Sequence, residues 1–448
     1  MEFRESEDIQ RWSEQIAASP YRSYLYSYPH KTAYRELNPP LPLHELWKRE
    51  SGESFFLYMH IPFCAARCGF CNLFTLPDRN ADVHEQYVVA LERQARQWAP
   101  MVDHRPFSRF AIGGGTPTLL NERLLEHLFD IAEQVMGLEP DRASISVETS
   151  PDTVTDARMK LLKERKVDRV SMGIQSFIEA EAAAIYRPQK PGEVMRALEV
   201  LKKHDFAVLN LDLIYGLPGQ TVETWLYSLD RALEYEPEEI FIYPLYTREN
   251  TILKPEELRR RGQNHRLVMY RAACERLKEK GYEAFSMRRF AKPDAKSGKN
   301  LLPYGCQEEG MVGLGCGARS YTREVHYASR YGVSYKATQS IIADYVSASS
   351  YDTADYGYVL NLAEQQRRFV IKALLHREGL ERSAYEARFG SDPFDDSPEL
   401  KRLLAAGFAV LEDGTMRLTD EGMGYSDAIG DWLISPEVRE RMEDYVCV

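Results

Sequence analysis

The sequence predicts an α/β protein: a partial or full (β/α) barrel followed by a small C-terminal helical, winged-helix-like domain. Three observations predict it. From residue 54 to about 280, short apolar runs of strand length alternate with longer segments of helical periodicity, the pattern of a parallel sheet covered by helices. Glycines, cysteines and carboxylates fall at the C-terminal ends of the apolar runs, where barrels of this kind keep their chemistry. After about residue 355 the texture changes to two helices and a hairpin turning on Asp413-Gly414.

The elements follow in order. Residues 1–50 are polar and rich in tyrosine and proline, with Tyr21, Tyr24, Tyr26 and Tyr28 close together; they read as an N-terminal arm carrying a short helix. The barrel is expected over 51–290. Its strands are 55–61, 109–112, 143–148, 168–174, 208–215 and 240–245. The helices between and after them are 82–98, 121–136, 153–165, 192–204, 221–234 and 264–280, with Asn121 as an N-cap. Residues 291–350 read as an irregular extension or linker, with a Lys-, Gly- and Pro-rich loop near 291–303. The C-terminal domain, 351–448, holds helices at 362–378 and 398–406 and strands at 408–411 and 416–418.

Composition narrows the function. The 448-residue chain is 44% hydrophobic and 28% charged, an ordinary soluble composition. Its net charge of −11 gives no general pull toward nucleic acid or an anionic membrane. There is no apolar run of the ~18 residues that a membrane helix requires, and the acidic N-terminus is no secretory signal. The expected location is cytoplasmic. Three of the seven cysteines crowd into residues 64–71, while Cys274, Cys306, Cys316 and Cys447 are scattered. A tight group in a long chain points to metal rather than to a disulfide framework.

The decisive stretch is Tyr58-Met-His60-Ile-Pro-Phe-Cys64-Ala-Ala-Arg-Cys68-Gly-Phe-Cys71. Cysteine thiolates are the usual ligands of iron–sulfur clusters. Three thiolates on a four-iron cube leave one iron with an open position, which the amino and carboxylate groups of S-adenosylmethionine (SAM) can fill. An electron from the cluster then breaks the sulfonium C–S bond and yields a 5′-deoxyadenosyl radical. The competing reading is a zinc knuckle on Cys68 and Cys71, which wants a second ligand pair such as one including His60. Phe70, directly before the last thiolate, is a candidate cover for the adenine, or simply core.

Further candidates stand at successive strand ends. Gly113-Gly-Gly-Thr-Pro117 lets backbone approach a ligand closely, and Thr116 starts the next segment. Glu148, Gln175 and Asp212 place costly polar groups at the ends of buried strand sequences, as a ribose or other polar ligand would require. Arg187 suits a carboxylate. Arg288, Arg289, Arg319, Arg323 and Arg330, with Tyr321 and Tyr327, are read either as a face for an anionic substrate or as a solvated charge cluster.

Together these motifs resemble the oxygen-independent coproporphyrinogen III dehydrogenase (HemN-like) family of radical SAM proteins. The resemblance also runs through Ser171-Met-Gly-Ile-Gln-Ser-Phe177, Asp212-Leu-Ile-Tyr-Gly-Leu-Pro218 and Gly313-Leu-Gly-Cys-Gly-Ala-Arg-Ser-Tyr321. It implies a radical SAM barrel, a [4Fe–4S] cluster on Cys64, Cys68 and Cys71, and SAM contacts at Gly114, Gly115, Glu148, Gln175, Arg187 and Asp212, with Tyr58 nearby. A second SAM, where the family has one, would lie near Gly115, Thr116 and the glycines of 313–317, Gly315 included, with Cys316 beside it. In the methyltransferase branch it is the methyl donor.

The chain departs from the family at three places. Leu73 stands where the dehydrogenases carry a fourth cysteine, the arm at 20–34 matches their N-terminal segment only loosely, and the His-Asn-x-x-Tyr-Trp pattern of the haem-trafficking branch is missing. The expectation is a radical SAM oxidoreductase or methyltransferase acting on a small organic substrate, served by a flavodoxin or ferredoxin. Coproporphyrinogen III dehydrogenation and non-enzymatic haem carriage are the alternatives.

Overall fold

Every apolar run that the sequence marks between residues 54 and 250 forms a strand, and the residues flanking each run decide which side of it is dry. The computed structural model describes residues 2–21, 25, 27–102, 105–247, 251–253, 263–293, 310–332 and 334–445. Two compact units divide the chain: residues 35–258 with 294–358, and residues 1–34 with 259–293 and 359–445.

The first of these is the barrel unit. Its strands are β1 (Arg35–Pro42), β2 (Phe55–Ile61), β3 (Phe107–Gly114), β4 (Ser144–Thr149), β5 (Arg169–Gln175), β6 (Val208–Tyr215), β7 (Glu239–Pro244), β8 (Met311–Leu314), β9 (Arg319–Tyr321), β10 (Val325–Ala328) and β11 (Thr353–Val359). Their order is β1-β11-β10-β9-β8-β2-β3-β4-β5-β6-β7. The run from β8 through β2 to β7 is parallel throughout. The order is linear among the described residues, so the barrel is partial rather than closed.

The helices α1 (Ala81–Trp98), α2 (Glu122–Asp130), α3 (Asp156–Glu164), α4 (Pro191–His204) and α5 (Val222–Leu233) cover one face of the parallel run. Side-chain oxygens start several of them: Asn80 accepts from Asp82 N at 3.0 Å and Asn121 from Leu124 N at 2.9 Å. Strand side chains alternate between two environments. Ile145, Val147, Val170, Met172, Leu211 and Leu213 are all fully buried. This is the helix-facing side: Phe110 of β3 meets Phe129 of α2, and Tyr215 of β6 meets Trp225 of α5. Each such aliphatic side chain contributes about 1.5–3 kcal/mol of burial. The opposite, axis-facing positions are Ser146, Glu148, Arg169, Gly173 and Asp212, and solvent reaches them.

Three expectations need correction. The helix at 121–136 is α2 followed by a wide π turn over Ile131–Val135, and that at 153–165 starts only at Asp156, where Thr155 caps it. The described residues of 291–350 are not all irregular: they carry β8, β9, β10 and the helix Tyr335–Ser347, which Ser334 caps. Those strands are three or four residues long, too short to show a period. Of the loop at 291–303, only 291–293 lie within the described residues.

The other unit regroups the expected segments. The arm expected over 1–50 divides: it begins with a 17-residue helix, Glu2–Ala18, whose Trp12 lies 4.7 Å from the Trp432 ring and 6.0 Å from Phe408, while β1 belongs to the barrel unit. An apolar stripe on an N-terminal helix must be covered, and residues near the C-terminus cover it. Helices Leu362–Leu374, Arg382–Phe389 and Leu400–Ala405 join a three-stranded sheet whose hairpin, Ala409–Glu412 with Thr415–Leu418, turns on Asp413 (φ 49°) and Gly414 (φ 76°). Arg288 Nη2 meets Asp427 Oδ1 at 2.5 Å, and Tyr28 OH donates to Glu364.

Candidate active site

The cysteine lobe begins where β2 ends. Phe63–Cys64 forms a two-residue strand paired with Leu76–Pro77, and Leu76 N donates to Pro62 O at 2.7 Å. The lobe is tied to its surroundings by Gly69 N to Ile185 O (2.8 Å) and Leu253 N to Gly69 O (2.9 Å). Cys64, Cys68 and Cys71 are free thiols, each partly exposed. Burial pushes the Cys64 thiol up to about 12, and the neighbouring Cys71 and Cys68 add to the rise against Thr116 and Arg187. Burial likewise raises Cys71, with Cys68 adding to it. Cys64 and Cys71 thus resist ionising, and a cationic metal centre reverses that sign.

Among the described residues, no three His, Cys, Asp or Glu side chains converge tightly enough to grip one metal ion. A single zinc, with ligands at about 2.0–2.3 Å, does not fit the trio. Both ring nitrogens of His60 are engaged, Nε2 with Phe74 O at 2.8 Å and Nδ1 with Tyr58 OH at 3.2 Å.

The glycine loop lies against this lobe. Gly115 N donates to Ile61 O at 2.7 Å, and a Cβ at Gly115 would stand 2.5 Å from Phe63 O and 3.0 Å from Cys64 Sγ. Gly114 has φ 111°, with the His60 ring where a side chain would go. Thr116 N donates to Phe63 O at 2.7 Å, and its hydroxyl lies 3.8 Å from Cys64 Sγ. Gly114 N donates to Glu148 Oε2 at 3.1 Å. Solvent reaches Glu148 from the axis side, yet protein crowds it on the others. That crowding, with the charge of Asp212, pushes its carboxyl up to about 7 against the Gly114 N–H and Arg169. Burial raises Asp212 as well, although Asn210 Nδ2 (2.8 Å) and the Ser171 hydroxyl (3.3 Å) donate to it.

Register brings the remaining side chains in. A bulge between Gly173 and Gln175 breaks the pairing of β5 with β6, and Gln175 takes φ 71°. Arg187 reaches from the turn after the helix Glu179–Ala184 to within 3.5 Å of Cys68 Sγ. Phe70 packs on the apolar patch of Ile185, Ile214, Leu217, Leu245 and Leu253, beside Tyr243. Tyr58 stands against Phe56, Met311 and Tyr321.

Not every candidate joins this group. Gly315 gives its N–H to Gln94 Oε1 of α1 at 2.8 Å, and its α-carbon faces the Tyr87 hydroxyl. Cys316 is buried with its thiol raised by burial, 3.9 Å from Tyr87 OH, the setting of an inert cysteine. The arginine-rich face dissolves into separate structural contacts. Arg288 pairs with Asp427 at 2.5 Å, and Arg330 pairs with exposed Glu36 at 2.5 Å. Tyr327 is buried and accepts from Trp47 Nε1 at 2.9 Å. Cys306 and Cys447 lie outside the described residues.

Sequence reasoning missed Arg169, which pairs with buried Glu239 at 2.8 Å and donates to Ser146 at 3.1 Å. Its parity with Ser171 and Gly173 on β5 was the available signal. It also missed Ser171 and Asn210, which hold Asp212, and Gln189, which nothing local marks.

Comparison with known proteins agrees with this geometry. Residues 58–232 match the Radical SAM superfamily and residues 360–424 the HemN C-terminal domain. Over 270 residues the chain is 30% identical to the heme chaperone HemW of Bacillus subtilis, covering 59% of this chain and 70% of that protein. Over 389 residues it is 28% identical to the oxygen-independent coproporphyrinogen III oxidase of Salmonella typhimurium, covering 82% and 81%. The solved coproporphyrinogen III oxidase (HemN) of Escherichia coli, a radical SAM enzyme, has the same fold, with TM-score 0.72 and 23% identity over 94% of this chain and 98% of that one.

Proposed function

Because the chain belongs to the HemN-like family of radical SAM proteins, we propose that it is an enzyme that binds a [4Fe–4S] cluster through Cys64, Cys68 and Cys71 and acts on a small organic substrate. The observation that carries the reading is the meeting of the three thiols with the 113–115 loop and the Arg187 guanidinium at adjoining strand ends. When bound, the cluster supplies the electron that cleaves SAM, and the adenosyl fragment abstracts a hydrogen atom.

The chain's own residues bind and orient. Gly114 and Gly115 let backbone lie against the SAM amino group. Glu148 and Asp212 accept from polar hydrogens of SAM, and Gln175 adds an amide. Arg187 takes the SAM carboxylate, Phe70 covers the adenine from its apolar patch, and Tyr58 lines the axis below. Thr116 steadies Cys64. Gly315 sits beside His60 O at the end of β2 and the Tyr87 hydroxyl of α1.

The test is anaerobic reconstitution followed by SAM and reductant, with 5′-deoxyadenosine, methionine and S-adenosylhomocysteine measured together. Deoxyadenosine from wild type but not from Cys68→Ala supports the enzyme, and S-adenosylhomocysteine in addition marks a methyltransferase using a second SAM. A protein that holds iron and cleaves no SAM sinks the proposal. The likeness to a heme chaperone favours carriage as the second reading; a stoichiometric haem titration without SAM cleavage supports it. Protoporphyrinogen formed from coproporphyrinogen III identifies the dehydrogenase.

A further inference from the structure

Arg187 has three partners. Nη1 lies 3.5 Å from Cys68 Sγ, Nη2 donates to Gly173 O, and Nε donates to Gln189 Oε1 at 2.9 Å. Gln189 is itself immobilised: it is 9% exposed, and its amide donates to Ile174 O at 3.0 Å and Ser176 O at 3.1 Å. Those carbonyls flank Gln175, the residue turned to φ 71° at the β5 bulge. The backbone irregularity that aims Gln175 therefore also fixes the Gln189 amide. That amide selects the guanidinium orientation whose far edge faces the lobe. A planar fork delivers its hydrogen bonds only in a held orientation.

We propose that Gln189 is a positioning residue that holds Arg187 against Cys68, and that through this contact the reduction potential of the cluster is coupled to SAM binding. The inference rests on the reading of function above. A cationic N–H aimed at a ligating sulfur favours the more negative, reduced cluster and raises its potential. The same guanidinium is the group assigned to the SAM carboxylate, a stronger acceptor than sulfur. Cys68 and SAM thus compete for one fork, and linkage makes the competition reciprocal: a potential that responds to SAM implies a SAM affinity that responds to the oxidation state.

The experiment is an electron-paramagnetic-resonance redox titration of the reconstituted full chain, with and without SAM. It compares wild type, Gln189→Leu and Arg187→Lys, with iron and sulfide content as the loading control. In wild type the midpoint moves when SAM is added. In Gln189→Leu the SAM-free midpoint lies below wild type, the SAM-linked shift differs in size from wild type because only direct ligation of the open iron still contributes, and SAM binds roughly tenfold more weakly, as expected for one charge-assisted hydrogen bond. Arg187→Lys keeps the charge but not the fork, and its SAM-linked shift departs from wild type as well. A fully loaded Gln189→Leu protein with wild-type midpoints overturns the proposal. Should that variant fail to load iron, an unchanged SAM-linked shift in Arg187→Lys overturns it instead. A wild-type cluster indifferent to SAM removes this inference alone, whereas a wild type that holds no cluster removes the functional reading beneath it.

Discussion

In the unit that carries the C-terminal domain, Arg288 meets Asp427 at 2.5 Å with almost no solvent on either side chain. In the barrel, Glu148 has one hydrogen-bond donor, the Gly114 N–H at 3.1 Å, and Asp212 opposes its charge while Arg169 only partly offsets it. The first arrangement sets each charge against its opposite, although burial and neighbouring Asp431 push the Asp427 carboxyl well up, and removing either partner leaves the other stranded. The second is incomplete: crowding by protein and the charge of Asp212 push its carboxyl up to about 7 against the Gly114 N–H and Arg169. Buried charge that is paired belongs to the architecture; buried charge held at a cost beside open space belongs to a ligand site.

That contrast can be broken or sharpened, starting from the largest effect. Cys68→Ala should reduce cluster-bound iron and deoxyadenosine formation to background while leaving the denaturant midpoint of the apoprotein nearly unchanged. A large loss of stability instead would make the lobe structural. Arg288→Met should do the reverse. It strands Asp427 and should cost about 3–5 kcal/mol in denaturant unfolding, with cluster loading retained at low temperature.

Gly115→Ala falls between the two kinds. Its new Cβ would press on Phe63 O at 2.5 Å and Cys64 Sγ at 3.0 Å, so it should lose about 1–3 kcal/mol of stability and load less iron. Wild-type loading would show that the loop yields. The smallest effect is a pH slope. Glu148 is raised from 4.5 to about 7 in the folded chain, so between those values the folded state binds more protons than the unfolded one. The Glu148 contribution to apoprotein stability therefore falls as pH rises from about 4.5 to 7. Melting curves across that window should show the fall, and Glu148→Gln should flatten it.

Much of the barrel is legible in the sequence, because a strand covered by helices must be apolar on one face and any polar residue interrupting it is conspicuous. Glu148, Gln175 and Asp212 stand out for this reason, and the strand at 208–215 coincides with its apolar run. Three things were not legible. The strands β8 to β10 are shorter than the period that would reveal them. The pairing of Trp12 with Trp432 spans nearly the whole chain. Gln189 acquires its partners only through a bulge in β5, which no local pattern encodes. The arginines at 288–330 misled because count and charge say nothing about which partners already hold them.

The pairing of Phe63–Cys64 with Leu76–Pro77 has a thermodynamic consequence for assembly. It fastens both ends of the cysteine lobe with backbone hydrogen bonds, so the loop-closure entropy of gathering Cys64, Cys68 and Cys71 is met when the barrel folds. Loading the metal centre then decorates a finished scaffold rather than nucleating one. The apoprotein should survive chelators with its fold intact, unlike small domains whose metal binding is their folding.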